Sequence, residues 1–154
     1  MSLATELSGP PCRLADIRLF EEFANLSLPL DYAGFLLEHN GCVPAATSDT
    51  FSSRVELPGG NQITIHQLFS LSKNLPQLRC LFEELEVSVG FLPISSIAIG
   101  IDSFGNVIAL DCETGLLSWI VCESRFPLDY HRDFELGITF SELIRSLRPG
   151  PYAK

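Results

Sequence analysis

Three histidines and five cysteines are the residues of this chain best suited to acid–base, nucleophilic or metal chemistry. His39 lies on the apolar stripe of a predicted helix, close to Cys42, where a stabilised thiolate would make a thiol–imidazole pair. A packed histidine near a packed cysteine is the stronger reading. His66 sits in a predicted strand beside Ile65 and near Leu68, without an acidic neighbour to orient its ring, and reads as structure. Asp129-x-His131-x-Asp133 would set oxygen and imidazole donors on one face of an extended segment, a donor set that suits a divalent metal. A further ligand from elsewhere would be needed, so a solvated loop is preferred. Asp102 and Asp111 flank a predicted hairpin, where paired carboxylates would serve acid–base work; acidic display or turn hydrogen bonding is the simpler role. G-x-S-x-G, a phosphate-cradling glycine loop followed by Lys, H-E-x-x-H and H-x-E with paired cysteines do not occur. The expectation is a chain that is not an enzyme, with no catalytic residue, cofactor or metal.

Charge says more about partners than about chemistry. The formal net charge is -9. Such a chain repels phosphate backbones and attracts basic proteins, so nucleic acid is not an expected ligand and a cationic protein is. From Arg79 to Arg125 no Lys, Arg or His intervenes, only Glu83, Glu84, Glu86, Asp102, Asp111, Glu113 and Glu123. Solubility alone accounts for such a stretch as well as recognition does. For recognition, the candidate partner-binding residues are Asp102, Asp111, Glu113 and Glu123, with Trp119 as an aromatic anchor. Trp119 also stands beside Ile120 and Val121, which favours core burial over an interface. Odd cysteine number and the lack of a C-x-x-C pair argue for reduced thiols. No apolar run reaches membrane-spanning length, and Glu6, Gly9, Pro10 and Pro11 break any secretory leader at the start, so cytoplasm is the expected location.

The elements that would position these residues follow from periodicity. Residues 1–12 read as a flexible arm, because Gly9-Pro10-Pro11 cannot propagate a helix. Leu14, Ile17, Phe20, Phe23 and Ala24 predict a first helix over Leu14 to Leu26. Pro29 at a helix start, Asp31 at the positive end of its dipole, the stripe Tyr32, Phe35, Leu36 and His39, and the stop Asn40-Gly41 define a second. Period-two patterns from Phe51 to Leu57 and Ile63 to Phe69 predict two strands around Pro58-Gly59-Gly60-Asn61. A third helix is expected from about Asn74, carrying Leu78, Leu81, Phe82 and Leu85. Ile94 to Val121 reads as a three-stranded meander with turns at Ser103–Asn106 and Glu113–Gly115. A charged connection from Arg125 to Glu135 leads to Thr139-x-x-Glu142, a capping box that opens a last helix with Phe140, Leu143, Ile144 and Leu147. Helices and strands do not alternate as in a doubly wound fold, so an α+β domain is expected.

Leu28-Pro29-x-Asp31-Tyr32-x-x-Phe35-Leu36-x-x-x-Asn40-Gly41 resembles the early helix motif of the SUKH superfamily. Leu92-Pro93-Ile94, Ile97-Ala98-Ile99-x-x-Asp102, Gly105, Asp111, Gly115 and Trp119 are similar to its strand block, and Phe140 to Leu147 to its closing helix. Two positions differ: Asn106 stands where the family often has Asp, and Cys42 where a second Gly often follows Asn-Gly. The resemblance implies a mostly antiparallel twisted sheet with about four helices packed around it, in a single domain over 13–148 with a tail at 149–154. It also implies a non-enzymatic protein-binding role. Bacterial members typically neutralise a cognate toxin, often a nuclease or nucleotide-modifying domain, whereas fungal relatives are scaffolds in cell-wall regulation. A basic toxin domain is thus the expected partner and an adaptor role the alternative.

Overall fold

The computed structural model describes residues 3–88, 91–122, 131–151 and 153. Its path starts with a strand, β1 (Thr5–Ser8), followed by α1 (Leu14–Ala24) and α2 (Leu30–Glu38). Asp16 accepts the Arg13 N–H (2.7 Å) and fixes the start of α1, and Asn25, in the left-handed region at φ 54°, ends it. Pro29 precedes α2, and Asn40 and Gly41, both at positive φ, turn the chain out of it. Short strands β2 (Cys42–Pro44) and β3 (Thr50–Ser52) lead to β4 (Gln62–Leu68), then α3 (Leu81–Ser88). The meander follows as β5 (Ser96–Asp102), β6 (Val107–Asp111) and β7 (Leu116–Cys122), and the chain closes with β8 (His131–Thr139) and α4 (Phe140–Ser146).

All strand pairs are antiparallel, in the order β1-β2-β4-β5-β6-β7-β8, with β3 on a branch against β4. The fold is therefore the expected α+β arrangement of four helices on an antiparallel sheet. Six of the seven residues of β5 and three of the five of β6 are buried, on both faces of these central strands. Phe20, Tyr32, Phe35 and Phe140 join the core with Ile97, Ile99 and Leu110. Phe140 meets the rings of Tyr32 and Phe35 at 5.1 and 5.0 Å and so locks α4 onto α2. Asp31 adds a polar tie between the same helices, its Oδ2 accepting both the N–H and the hydroxyl of Ser141 at 2.9 Å.

The Asn40-Gly41 stop does more than end a helix. Asn40 is buried, donates through Nδ2 to the Pro10 carbonyl (2.8 Å) and Ser72 Oγ (3.0 Å), and accepts the Leu71 N–H at Oδ1 (2.9 Å). Gly41 packs so closely that a Cβ there would lie 2.7 Å from the Phe69 carbonyl oxygen. Gly9 N–H donates to the Gly41 carbonyl (3.0 Å). The segment expected as an arm is thus tied down, and Thr5 to Ser8 pair with Pro44 to Cys42. Cys42 opens β2 and is fully buried.

Three further differences from the sequence reading have physical causes. The third helix begins at Leu81, because Asn74 takes φ 64° and residues up to Cys80 instead bond β4, through Arg79 N–H to Gln67 Oε1 (2.8 Å) and Leu81 N–H to the Ser70 carbonyl (2.7 Å). The second half of the expected charged connection is strand β8, in which Phe134, Leu136 and Ile138 alternate with polar residues and pair along β7. The first half lies outside the described residues. In the expected tail, Gly150 N–H donates to the Ala46 carbonyl (3.0 Å), just after the bridge between Arg148 and Thr50 that closes the expected domain.

Candidate protein-binding surface

The two turns of the meander carry the acids singled out from sequence, and the register sends them to opposite ends of the sheet. Asp102 and Asn106 close the β5–β6 turn, whereas Asp111 pairs with Ser96 at the far end of the same two strands. About 17 Å of strand separates them. They are neither a catalytic pair nor one continuous patch.

At the first end the carboxylate faces inward. Asp102 is only 3% exposed. Its Oδ1 accepts the N–H groups of Phe104 (2.9 Å) and Asn106 (2.8 Å), and its Oδ2 accepts Asn106 Nδ2 (3.1 Å) and Trp119 Nε1 (2.9 Å). Trp119 reaches Asp102 diagonally over β6, since Trp119 and Gly100 both oppose Ile108. Asn106 Oδ1 accepts the Cys122 N–H (3.1 Å), so its amide gives and receives at once. A carboxylate at position 106 could not donate to Asp102 as the Asn106 amide does. Asp102, a candidate for partner contact, and Trp119, for which core burial is the favoured of two readings, form a buried post holding β5, β6 and β7 together. Glu123 lies outside the described residues, as does Asp129.

At the second end the acids face outward. Asp111 Oδ1 accepts the N–H groups of Glu113 (2.8 Å) and Thr114 (3.3 Å), which shapes the turn and leaves Glu113 exposed. Cys112 N–H donates to the Ser95 carbonyl (2.8 Å), joining this turn to the chain entering β5. Beside it opens an apolar cleft of about 310 Å³ between the ends of α1 and α3, lined by Phe23, Ala24, Leu85, Leu92 and Ile94 among others. Phe23 is 52% exposed and Ile94 99%. Glu21 and Glu22 occupy the last turn of α1, Glu86 lies near the end of α3, and neither last turn has a basic residue. Carboxylates at the negative ends of two helix dipoles oppose the usual preference and deepen the negative potential there. Arg18 lies one turn back on α1, and Lys73 sits 5.4 Å over the Phe82 ring, which itself contacts Phe23. Sequence reasoning placed Phe23 in the core and passed over Glu21, Glu22 and Ile94. The available signal was Leu19 with Phe23, which widens the apolar stripe of α1, ending against two acids.

A second cleft, of about 260 Å³, lies beside α2 and is lined by Leu3, Leu30, Gly34, Phe35, His39 and Ile144 with Asp31 and Glu38. Leu30 is 91% exposed at its rim. His39 Nδ1 lies 3.5 Å from Ser8 Oγ, and its ring stacks at 5.3 Å on Phe35. Burial pushes the Cys42 thiol up to about 12, so the thiolate that a Cys42–His39 nucleophile needs does not form near neutral pH. Burial likewise raises Cys112 to about 12, helped by the Asp111 and Glu21 carboxylates. All five cysteines are free. His66 is exposed on β4, and Asp133 opposes Ile120 on β8. Among the described residues no three His, Cys, Asp or Glu side chains gather as a metal site, and no helix is long and apolar enough to cross a membrane.

An antiparallel sheet with a proline-led α2, an Asn-Gly stop and a glycine-punctuated meander defines an α+β domain of the SUKH type. The chain belongs to the SMI1 / KNR4 family (SUKH-1), which it matches over residues 11–145. That family includes immunity proteins, and its domains are generally non-enzymatic. No curated protein and no solved structure matches the chain.

Proposed function

We propose that this chain is a cytoplasmic immunity protein that binds a cognate toxin and neutralises it by occupying a basic surface the toxin uses on its own substrate. The observation that carries this reading is the outward acidic end of the meander, where Asp111 and Glu113 adjoin an apolar cleft with Glu86 in its wall. A basic face that holds a nucleic acid or nucleotide is complementary to such a surface in charge, and apolar contact beside the charge supplies affinity that salt does not screen. Asp102 and Trp119, buried toward the opposite end of the meander, hold its strands together rather than touch the toxin. Five free thiols fit a reducing compartment.

Co-expression with the product of the neighbouring open reading frame, once shown to be toxic on its own, tests the reading, scored by rescue of growth and by co-purification of a complex. Rescue with a stable complex is the expected result; continued toxicity at full expression of the folded chain would refute it. A second reading, a regulatory adaptor of the cell-wall-regulator type, draws on the α2 cleft with exposed Leu30. If it holds, Leu30→Asp abolishes partner capture and Glu113→Lys does not.

A further inference from the structure

Apolar side chains left in water beside like charges define what can cover them. Ile94 projects almost entirely into solvent, and Phe23 keeps half its surface exposed although its ring touches Phe82 at 5.2 Å. Both line one cleft, whose floor is Ala24, Leu85 and Leu92. The charges beside that floor are acidic on two sides: Glu86 of α3 lines it, and Asp111, with Glu113 on the same turn, stands opposite Ser96 in its wall. Two helix C-termini point their carbonyl ends toward the same opening, since Ala24 and Ser88 end α1 and α3 and both line it. An anionic or purely apolar occupant would leave these charges uncompensated.

We propose that this cleft is the seat of a cationic amphipathic segment of the partner protein, one large aliphatic or aromatic side chain entering between Phe23 and Ile94 while flanking Lys or Arg side chains meet Glu86 and Glu113. The proposal deepens the protein-binding reading above and rests on it for the partner's identity, but not for the chemistry of the seat. The inserted side chain is the anchor, as buried apolar contacts at the centre of an interface usually are, and the ion pairs at the rim set orientation and encounter rate. The cleft beside α2 differs: of its two acids Asp31 is spent on Tyr32 and Ser141, and His39 stands in its wall beside Glu38.

The test is a nuclear magnetic resonance titration of the whole chain with a synthetic amphipathic helix of leucines and lysines, beside oligolysine and a leucine–glutamate version. The expected result is that amide shifts concentrate at Phe23, Leu85 and Ile94 with the leucine–lysine peptide, stay diffuse with oligolysine and are absent with the leucine–glutamate peptide. Ile94→Ser, at a site too exposed to matter for folding, weakens binding at least about fivefold, and Glu86→Gln with Glu113→Gln steepens that loss. Shifts centred on Leu30 and Ile144, or an Ile94→Ser chain that binds as the parent does, would overturn the proposal. Growth rescue separates the two claims: peptide seated in the cleft without rescue retires the toxin but keeps the seat, and rescue undiminished by Ile94→Ser retires the seat but keeps the toxin.

Discussion

The two turns of the meander begin alike in sequence, each with an aspartate at the end of a strand followed by a glycine at positive φ, and they do opposite things. Asp102 is sealed in by four donors and holds three strands together; Asp111 spends one oxygen on its turn and faces the acidic outside. The distant partner makes the difference. Trp119 lies 17 residues from Asp102 in sequence and meets it only because of strand register, whereas no indole reaches Asp111. A carboxylate is structural when the fold supplies enough donors to replace its water, and displayed when it does not.

Breaking the inward end has the largest expected effect. Asp102→Ala strands the Trp119 Nε1–H and the Asn106 amide, and should cost about 3 kcal/mol of stability by urea denaturation. Its affinity for the partner, measured where the variant is still folded, should be close to that of the parent. Asn106→Asp removes one donor and sets a second carboxylate beside the first, for a loss of about 2 kcal/mol. At the outward end, Asp111→Asn with Glu113→Gln keeps the Oδ1 acceptor of the turn, so stability should change by less than about 0.5 kcal/mol while partner association slows severalfold. Equal stability losses at the two ends would erase the distinction.

Titration at high pH sharpens the contrast from another side. The Cys42 thiol stays protonated in the folded chain to about 12, whereas an unfolded thiol ionises near its ordinary value of 9.0. The unfolded state therefore binds fewer protons across that window, and stability falls as pH rises from 9 toward 12, by at most about 1.4 kcal/mol per unit for this thiol. Cys42→Ala should flatten that slope in pH-dependent urea unfolding, and an unchanged slope would assign the loss to other groups.

Much of this architecture is legible in local chemistry. Pro29, Asp31 and Asn40-Gly41 bound α2, Thr139 and Glu142 form the capping box that opens α4, and Gly105 and Gly115 space the meander, because each acts on its own neighbours. What stays hidden depends on distant residues. Thr5 to Ser8 have no pattern of their own and become a strand by pairing with β2, and β8 hides its alternation of Phe134, Leu136 and Ile138 among the charges of an edge strand. The same limit applies to the surface. The acidic run is visible in sequence, but its division into a buried post and an exposed rim, and the pairing of that rim with Phe23 and Ile94, arise only when α1, α3 and β5 meet.

The most direct test of the central claim, that the outward acidic end meets a basic protein, is the association rate constant with the cognate toxin at about 50 and about 500 mM salt. Electrostatic steering predicts a fall of at least about tenfold for the parent chain and a markedly shallower fall for the Asp111→Asn, Glu113→Gln variant. A rate indifferent to salt, or an equally steep fall in parent and variant, would contradict the account.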